Sequence, residues 1–349
     1  MQRLGYRLGF VLGLALAGCG GDEASTIGEP FTDGDADADG DADDRGIVPG
    51  KVDLLFVVDN SNSMAEEQEN LVANFPRLLD GLTTPPDEDG DGGADYAPVA
   101  DLHVGVITSD VGDGGHATPT CGAAGDDGIL VSAARVASDD CADRELGPWL
   151  EGPSGSLASD FACLARVGTS GCGIEQPLEA VRRALIDHGD DENAGFLRDD
   201  SVLAIVFVTD EDDCTVDDDR IYTASVEELG ELNTRCYAHD ELLEAPDRVA
   251  AELRGLRPGL DGSVVIGAIA GTPEGWNGSP DSLPSPIDPN DPSGLVPSCS
   301  ADGLGQAYSP RRLARLAEAV QGTAGFQSIC QADWRGGLAR LAATIGAGL

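Results

Sequence analysis

The chain has 349 residues, with 63 Asp plus Glu against 21 Lys plus Arg, a formal charge of −42. So acidic a chain lacks the basic face that displaces counterions from phosphates, which excludes nucleic acid as a partner. A hydrophobic fraction of 41% excludes a wholly disordered chain, and the length suits one large domain or two small ones.

Residues 1–18 carry Arg3 and Arg7, then an apolar run over 10–17, then small residues. This is the order of a secretory signal, and it is too short to span a bilayer. The run ends Leu16-Ala17-Gly18-Cys19, which resembles the lipobox of bacterial lipoproteins. The resemblance implies that Cys19 is acylated and anchors an exported protein in the cell envelope, and Gly20 in place of an Asp points to the outer membrane. Residues 19–50 then read as an acidic, disordered tether. Between 20 and 50 stand ten acidic residues and one base, Arg45, a composition that repels itself and buries nothing.

Two stretches fit a D-x-D-x-D-G-x-x-D pattern: Asp35, Asp37, Asp39, Gly40 and Asp43 in the tether, and Asp87, Asp89, Asp91, Gly92 and Asp95 further on. Alternate carboxylates around a Gly turn are how calcium loops gather oxygens, although neither stretch has a Glu at the twelfth position. Export also bears on the cysteines. Nine are present, and Cys19 leaves an even eight, which in an oxidising compartment favours four disulfides. Pairing by chain neighbours gives Cys121 with Cys141, Cys163 with Cys172, Cys214 with Cys236, and Cys299 with Cys330. No CxxC occurs and the four histidines lie far apart, so a zinc site is not expected.

From residue 51 to 349 the sequence alternates strands and helices. Residues 52–58 are an apolar run that ends in Asp59-Asn60-Ser61-Asn62-Ser63, a strand feeding a polar turn. Leu71, Phe75, Leu78 and Leu79 place a helix after it, with a kink at Pro76. Residues 102–108 are the second strand, and 128–136 is expected to return as an antiparallel edge. Pro177 opens a helix carrying Leu178, Val181 and Leu185, and 201–209 is the most apolar strand. A helix over 247–256, a strand over 263–269, a helix after Ser309-Pro310, an edge strand over 326–329 and a closing helix with Leu338, Leu341, Ala342 and Ile345 complete the order. Continuous apolar strands between amphipathic helices predict an α/β fold: doubly wound, a mostly parallel central sheet with one antiparallel edge strand, and helices on both faces. Insertions are expected near 81–100, 110–128, 137–160 and 271–308.

In such sheets the functional edge lies beyond the carboxyl ends of the strands. Three polar clusters fall there: 59–63, 169–175 and 209–213. Carboxylates and hydroxyls without histidine or thiolate suit a hard cation. Asp59-x-Ser61-x-Ser63 behind an apolar strand, with Thr209-Asp210 closing a later strand, resembles the von Willebrand factor type A family and its metal-ion-dependent adhesion site. The resemblance covers most of 52–349 by element order. It implies Mg²⁺, with Mn²⁺ or Ca²⁺ as alternatives, held by hydroxyls of Ser61 and Ser63 and by Asp59 and Asp210, directly or through water. The family takes a further Thr from a middle loop, and here Glu175 and Thr169 are alternatives for that place. Glu211 stands where the family commonly has Gly.

Glu211, Asp212 and Asp213, like Asp217–Asp219, read as surface charge, the alternative being extra carboxylates that tighten cation binding or favour Ca²⁺. The implied function is a non-enzymatic envelope lipoprotein that binds a protein or polymer partner, whose carboxylate completes the cation's coordination. Two further readings stand beside it: a metal-dependent phosphoester hydrolase with Asp59 as nucleophile, and a structural lipoprotein stiffened by calcium.

Overall fold

The computed structural model describes residues 46–87 and 89–349. The expected signal, Cys19, the Asp35–Asp43 loop and the tether up to residue 45 lie outside them. Strands form where apolar residues dominate: β1 (Lys51–Val58), then, after helix α1 (Ala65–Thr83), β2 (Asp101–Thr108). Next come β3 (Trp149–Gly152), α2 (Leu157–Ala165), α3 (Pro177–Arg182, continued by one π turn to Asp187) and β4 (Val202–Val208). Three short helices follow, α4 (Arg220–Thr223), α5 (Val226–Leu229) and α6 (Leu232–Ala238), then α7 (Pro246–Gly255) and β5 (Val264–Ala270). A two-residue ladder of β6 (Cys299–Ser300) with β7 (Gln306–Ala307) precedes α8 (Arg311–Val320), β8 (Phe326–Ser328) and α9 (Arg335–Gly346).

The sheet has six strands in the order β3-β2-β1-β4-β5-β8, all parallel except β3, which runs antiparallel to β2. The antiparallel edge is thus present but not where the sequence put it. Residues 128–136 form turns and irregular chain, although Val131 N–H still bonds Val106 O at 2.8 Å. Leu130 and Val131 are buried as packing residues, and the strand itself comes from the region read as an insertion over 137–160.

Alternation along β1 sorts the core into two layers. Val52, Leu54, Phe56 and Val58 pack with Leu71, Phe75 and Leu78 of α1, Phe161 of α2 and Leu341 of α9. Leu55 and Val57 pack with Leu178 of α3, Val249 of α7 and Leu313 of α8. Phe75 and Phe161 stack with centroids 3.8 Å apart, and burying each such side chain contributes about 1.5–3 kcal/mol. A third, smaller cluster of Cys172, Ile174, Cys214, Ile221, Leu242 and Leu243 lies under the 214–243 excursion. Residues 46–50, assigned to the tether, already touch the body: Val48 N–H donates to Asp200 O at 2.8 Å, and Ile47 packs on the first layer. Among the described residues no helix is long and apolar enough to cross a membrane.

Four disulfides close the fold: Cys121–Cys172, Cys141–Cys163, Cys214–Cys236 and Cys299–Cys330. The last two are those expected, and the first two exchange partners. Cys163 is on α2, against the loop of Cys141, whereas the chain after α2 carries Cys172 into the third cluster, beside Cys121. Proximity in sequence could not see that crossover. Non-reducing peptide mapping of the purified protein should recover these four pairs, with none of these eight cysteines found as a free thiol after denaturation; a 121–141 peptide would contradict the fold around α2.

Candidate metal centre

Strand order places the site. β2 and β4 flank β1 on opposite sides, so the connections leaving β1 and β4 diverge and open a crevice at their carboxyl ends. Asp59 follows β1, Ser109 follows β2, and Thr209-Asp210 follows β4. Asp59 is 1% exposed. Its Oδ1 accepts from Ser61 N–H at 2.8 Å and from the Ser109 hydroxyl at 3.4 Å, and its Oδ2 accepts from the Thr209 hydroxyl at 2.8 Å. The Asx turn made by the first of these folds Ser61 and Ser63 back over the strand end, with their hydroxyl oxygens 3.3 Å apart. Ser63 reaches the Asp210 carboxyl, which is 4% exposed.

The middle loop packs directly on this turn. Gly171 N–H donates to Asn60 O at 2.8 Å, and a Cβ at 171 would stand 2.2 Å from Asn60 Oδ1, so the close approach requires glycine. Gln68 joins the two loops, donating from Nε2 to Asp59 O at 3.0 Å and Gly168 O at 2.8 Å. Of the two candidates in this loop, Glu175 is buried and in electrostatic contact with Glu211, Asp59 and Asp210. Thr169 is half-buried and forms no hydrogen bond with the cup.

The electrostatics of this cup are one-sided. Asp59, Glu175, Asp210, Glu211 and Glu67 face one another, and among the described residues none has a basic side chain within ion-pair distance. Burial is the main cause of every shift. It raises Asp59, against the lowering effect of the Ser61 N–H and Thr209 bonds, and it raises Glu175 well above the usual range, with Glu211, Asp59 and Asp210 adding repulsion. Asp210 is pushed up to about 8, Glu211 to about 7 and Glu67 to about 7. Asp210 Oδ1 and Glu67 Oε2 are buried without any hydrogen-bond partner. Buried acids with orphaned oxygens and no counter-charge are costly unless protonated or met by a cation. Hydroxyl and carboxylate donors fit a hard divalent ion.

Glu67 was not foreseen. It belongs to the inward stripe of α1 with Leu71, Phe75, Leu78 and Leu82, and that spacing was the signal available. Its pocket is completed by Gly305 at φ +74°, where a Cβ would come within 2.5 Å of Glu67 Oε1.

Asp212 and Asp213, read as surface charge, are 6% and 1% exposed. Asp212 accepts the backbone N–H groups of Arg312 (2.9 Å) and Leu313 (3.3 Å), capping α8 from a distant loop, while Asp213 accepts from Arg312 Nε at 3.0 Å and from Leu178 N–H at 3.1 Å. They clamp the Asp210 loop to α8 and α3. Asp217 and Asp219 are exposed, as expected.

At the other Asp-rich segment, carboxylate oxygens of Asp87, Asp89 and Asp95 lie within 4.8 Å of one another, all exposed. Asp91 is not in that group; its Oδ1 accepts Gly93 N–H at 2.7 Å. The five carboxyls of the cup form no such close triad.

No family model matches the chain, and no curated protein matches it. Among solved structures, proximal thread matrix protein 1 from the mussel byssus (crystal form 2) aligns at a TM-score of 0.29 and 11% identity, over 66% of this chain and 39% of that one. The chain thus matches well under half the length of that protein, a likeness too slight to inform fold or function.

Proposed function

We propose that the protein has a doubly wound fold of the von Willebrand factor type A kind and binds a partner through a divalent cation held between the β1 and β4 loops. The observation that carries this reading is the meeting of Ser61 and Ser63, hydroxyls 3.3 Å apart, with the Asp210 carboxyl, which Ser63 hydrogen-bonds while Oδ1 stays buried and unpartnered. Ser61 and Ser63 would supply direct oxygens, Asp59 and Asp210 the balancing charge, and Glu175 the middle-loop contribution in place of Thr169. The ion, Mg²⁺ or else Mn²⁺ or Ca²⁺, supplies a Lewis-acidic position for the carboxylate of a protein or polymer partner. In this reading residues 1–18 export the chain, Cys19 anchors it in the envelope, and the acidic segment up to the body is the tether.

The hydrolase reading is disfavoured by the state of Asp59. Both of its oxygens already accept hydrogen bonds and the residue is 1% exposed, which leaves a poor nucleophile, and Ser61 stands where such enzymes need a second acid. The Asp87–Asp89–Asp95 group supports only a subsidiary, stabilising role for Ca²⁺.

In calorimetry, Mg²⁺ or Mn²⁺ should bind the purified protein. Asp59→Ala and Asp210→Ala should each weaken binding by about tenfold or more, the range for losing a metal-site group, with an unchanged circular dichroism spectrum. Unaltered affinity in both variants would refute the site.

A further inference from the structure

We propose that the cavity between α6 and the first turn of α8 is an anion site that takes a single carboxylate, held by Arg311. The site is independent of the cation reading: none of the residues offered there as cation ligands lines it.

α8 opens with Arg311 and Arg312, and Arg315 follows one turn on, while the first turn holds no acid. This reverses what a helix start favours, because its free N–H groups and the macrodipole already make that end positive. It also runs against the composition of a chain with 63 acids and 21 bases. Two of the three arginines have evident partners. Arg312 pairs with Asp213 at 3.0 Å and with Asp240, and Arg315 pairs with Asp240 at 3.1 Å. Arg311 makes no ion pair among the described residues, and its Nε is buried with no hydrogen-bond acceptor. A charged donor kept from water in this way is costly, and natural proteins break such local rules mainly at functional sites.

The cavity offers that donor an acceptor. The three arginines line it with Tyr237, Asp212 and Asp240 around about 90 Å³, room for a carboxylate or about three waters. Cys236, bridged to Cys214, holds α6 as the opposite wall. Water can accept from Nε but brings no counter-charge. The acids present are already engaged, Asp212 by the Arg312 and Leu313 N–H groups and Asp240 by Arg312 and Arg315. These same two acids set the charge that the site accepts. A planar monoanion matches the guanidinium fork, whereas a doubly charged phosphate would be repelled by both carboxylates.

The test is saturation-transfer NMR on the purified protein, stripped of metal on a chelating resin and held at constant ionic strength, with acetate as the probe. Acetate should receive saturation from the wild-type protein with half-effect in the millimolar range that so small a ligand allows. Arg311→Gln should weaken binding by about tenfold or more, the scale for removing one side of a buried charge pair. Arg311→Lys keeps the charge but loses the planar fork, and it should weaken binding too, which keeps the proposal testable where the glutamine variant does not fold. A free small acid and a glutamate side chain offer the same carboxylate, and the α-amide of N-acetylglutamate separates them: displacement of acetate supports a polypeptide source, and no displacement supports a free acid. Transfer that is absent from the wild type, or equal in all three proteins, overturns the proposal, because the cavity then holds water alone. Phosphate that displaces acetate at equal or lower concentration overturns the assignment to a carboxylate.

Discussion

Removing divalent cations with EDTA should lower the melting temperature of the purified protein, and by more at pH 8 than at pH 5. Burial holds Asp210 at about 8 and Glu211 and Glu67 at about 7 in the cation-free fold, whereas an unfolded chain titrates its carboxyls near 4. Below about pH 4 these groups are protonated in both states and cost the fold nothing. As pH rises from about 4 to about 8 the unfolded chain ionises first, so the stability present at low pH is progressively lost across that window. Each unit of net displacement corresponds to about 1.4 kcal/mol, and one kcal/mol shifts a midpoint by roughly 2 °C or more in a domain of this size. A bound cation favours the ionised forms and cancels the loss. The comparison belongs at constant ionic strength, because a chain of charge −42 also gains from simple screening. Asp210→Asn should shrink the difference between chelated and loaded protein; a difference independent of both pH and Asp210 would contradict the assignment.

Asp53→Ala should destabilise the fold by about 3–5 kcal/mol, the cost of leaving buried charges unpaired. Asp53 sits within β1, is fully buried, and accepts from Arg198 N–H at 2.6 Å, Arg198 Nε at 2.7 Å and the Ser201 hydroxyl at 2.5 Å. Arg257, with its side chain 2% exposed, lies 3.9 Å away, and His103 Nδ1 lies at 3.7 Å. This network pins the start of β4 and the chain after α7 to β1, at the end of the sheet away from the cup. Truncation leaves Arg198 and Arg257 facing a cavity. The denaturant midpoint should fall with an unchanged slope, and cation affinity in the still-folded fraction should hold. A loss below about 1 kcal/mol would mean that solvent replaces the carboxylate and that the network is not a staple.

Legibility in the sequence followed how local each signal was. β1, β2, β4 and β5 announced themselves as predominantly apolar runs, because both faces of the parallel sheet are covered. β3 did not: its four residues, Trp149-Leu-Glu-Gly, pair along one edge only, and only Leu150 is buried. α2 was lost at the edge of a supposed insertion, and the short helices α4 to α6 depend on the Cys214–Cys236 bridge and on Arg235, which donates to Ile221 O and Ala224 O, rather than on periodicity. At the cup, Asp59, Ser61, Ser63 and Asp210 could be read from spacing, and Glu175 from its place before the Pro177 helix. Asp212 and Asp213 resemble surface acids in sequence, and Glu67 showed only its place on the apolar stripe of α1. Only the packing of α1, and the arrival of α8 from a hundred residues away, makes them buried. Asp53 carried a usable signal, a lone charge inside an apolar strand.

Anomalous diffraction from crystals soaked in Mn²⁺ tests the central claim most directly. The account predicts a peak within bonding distance of Ser61 Oγ and Ser63 Oγ, with Asp210 in the first or second coordination sphere. A peak only at the Asp87–Asp95 loop, with the Ser61–Ser63 turn unchanged and its surroundings featureless, would contradict it.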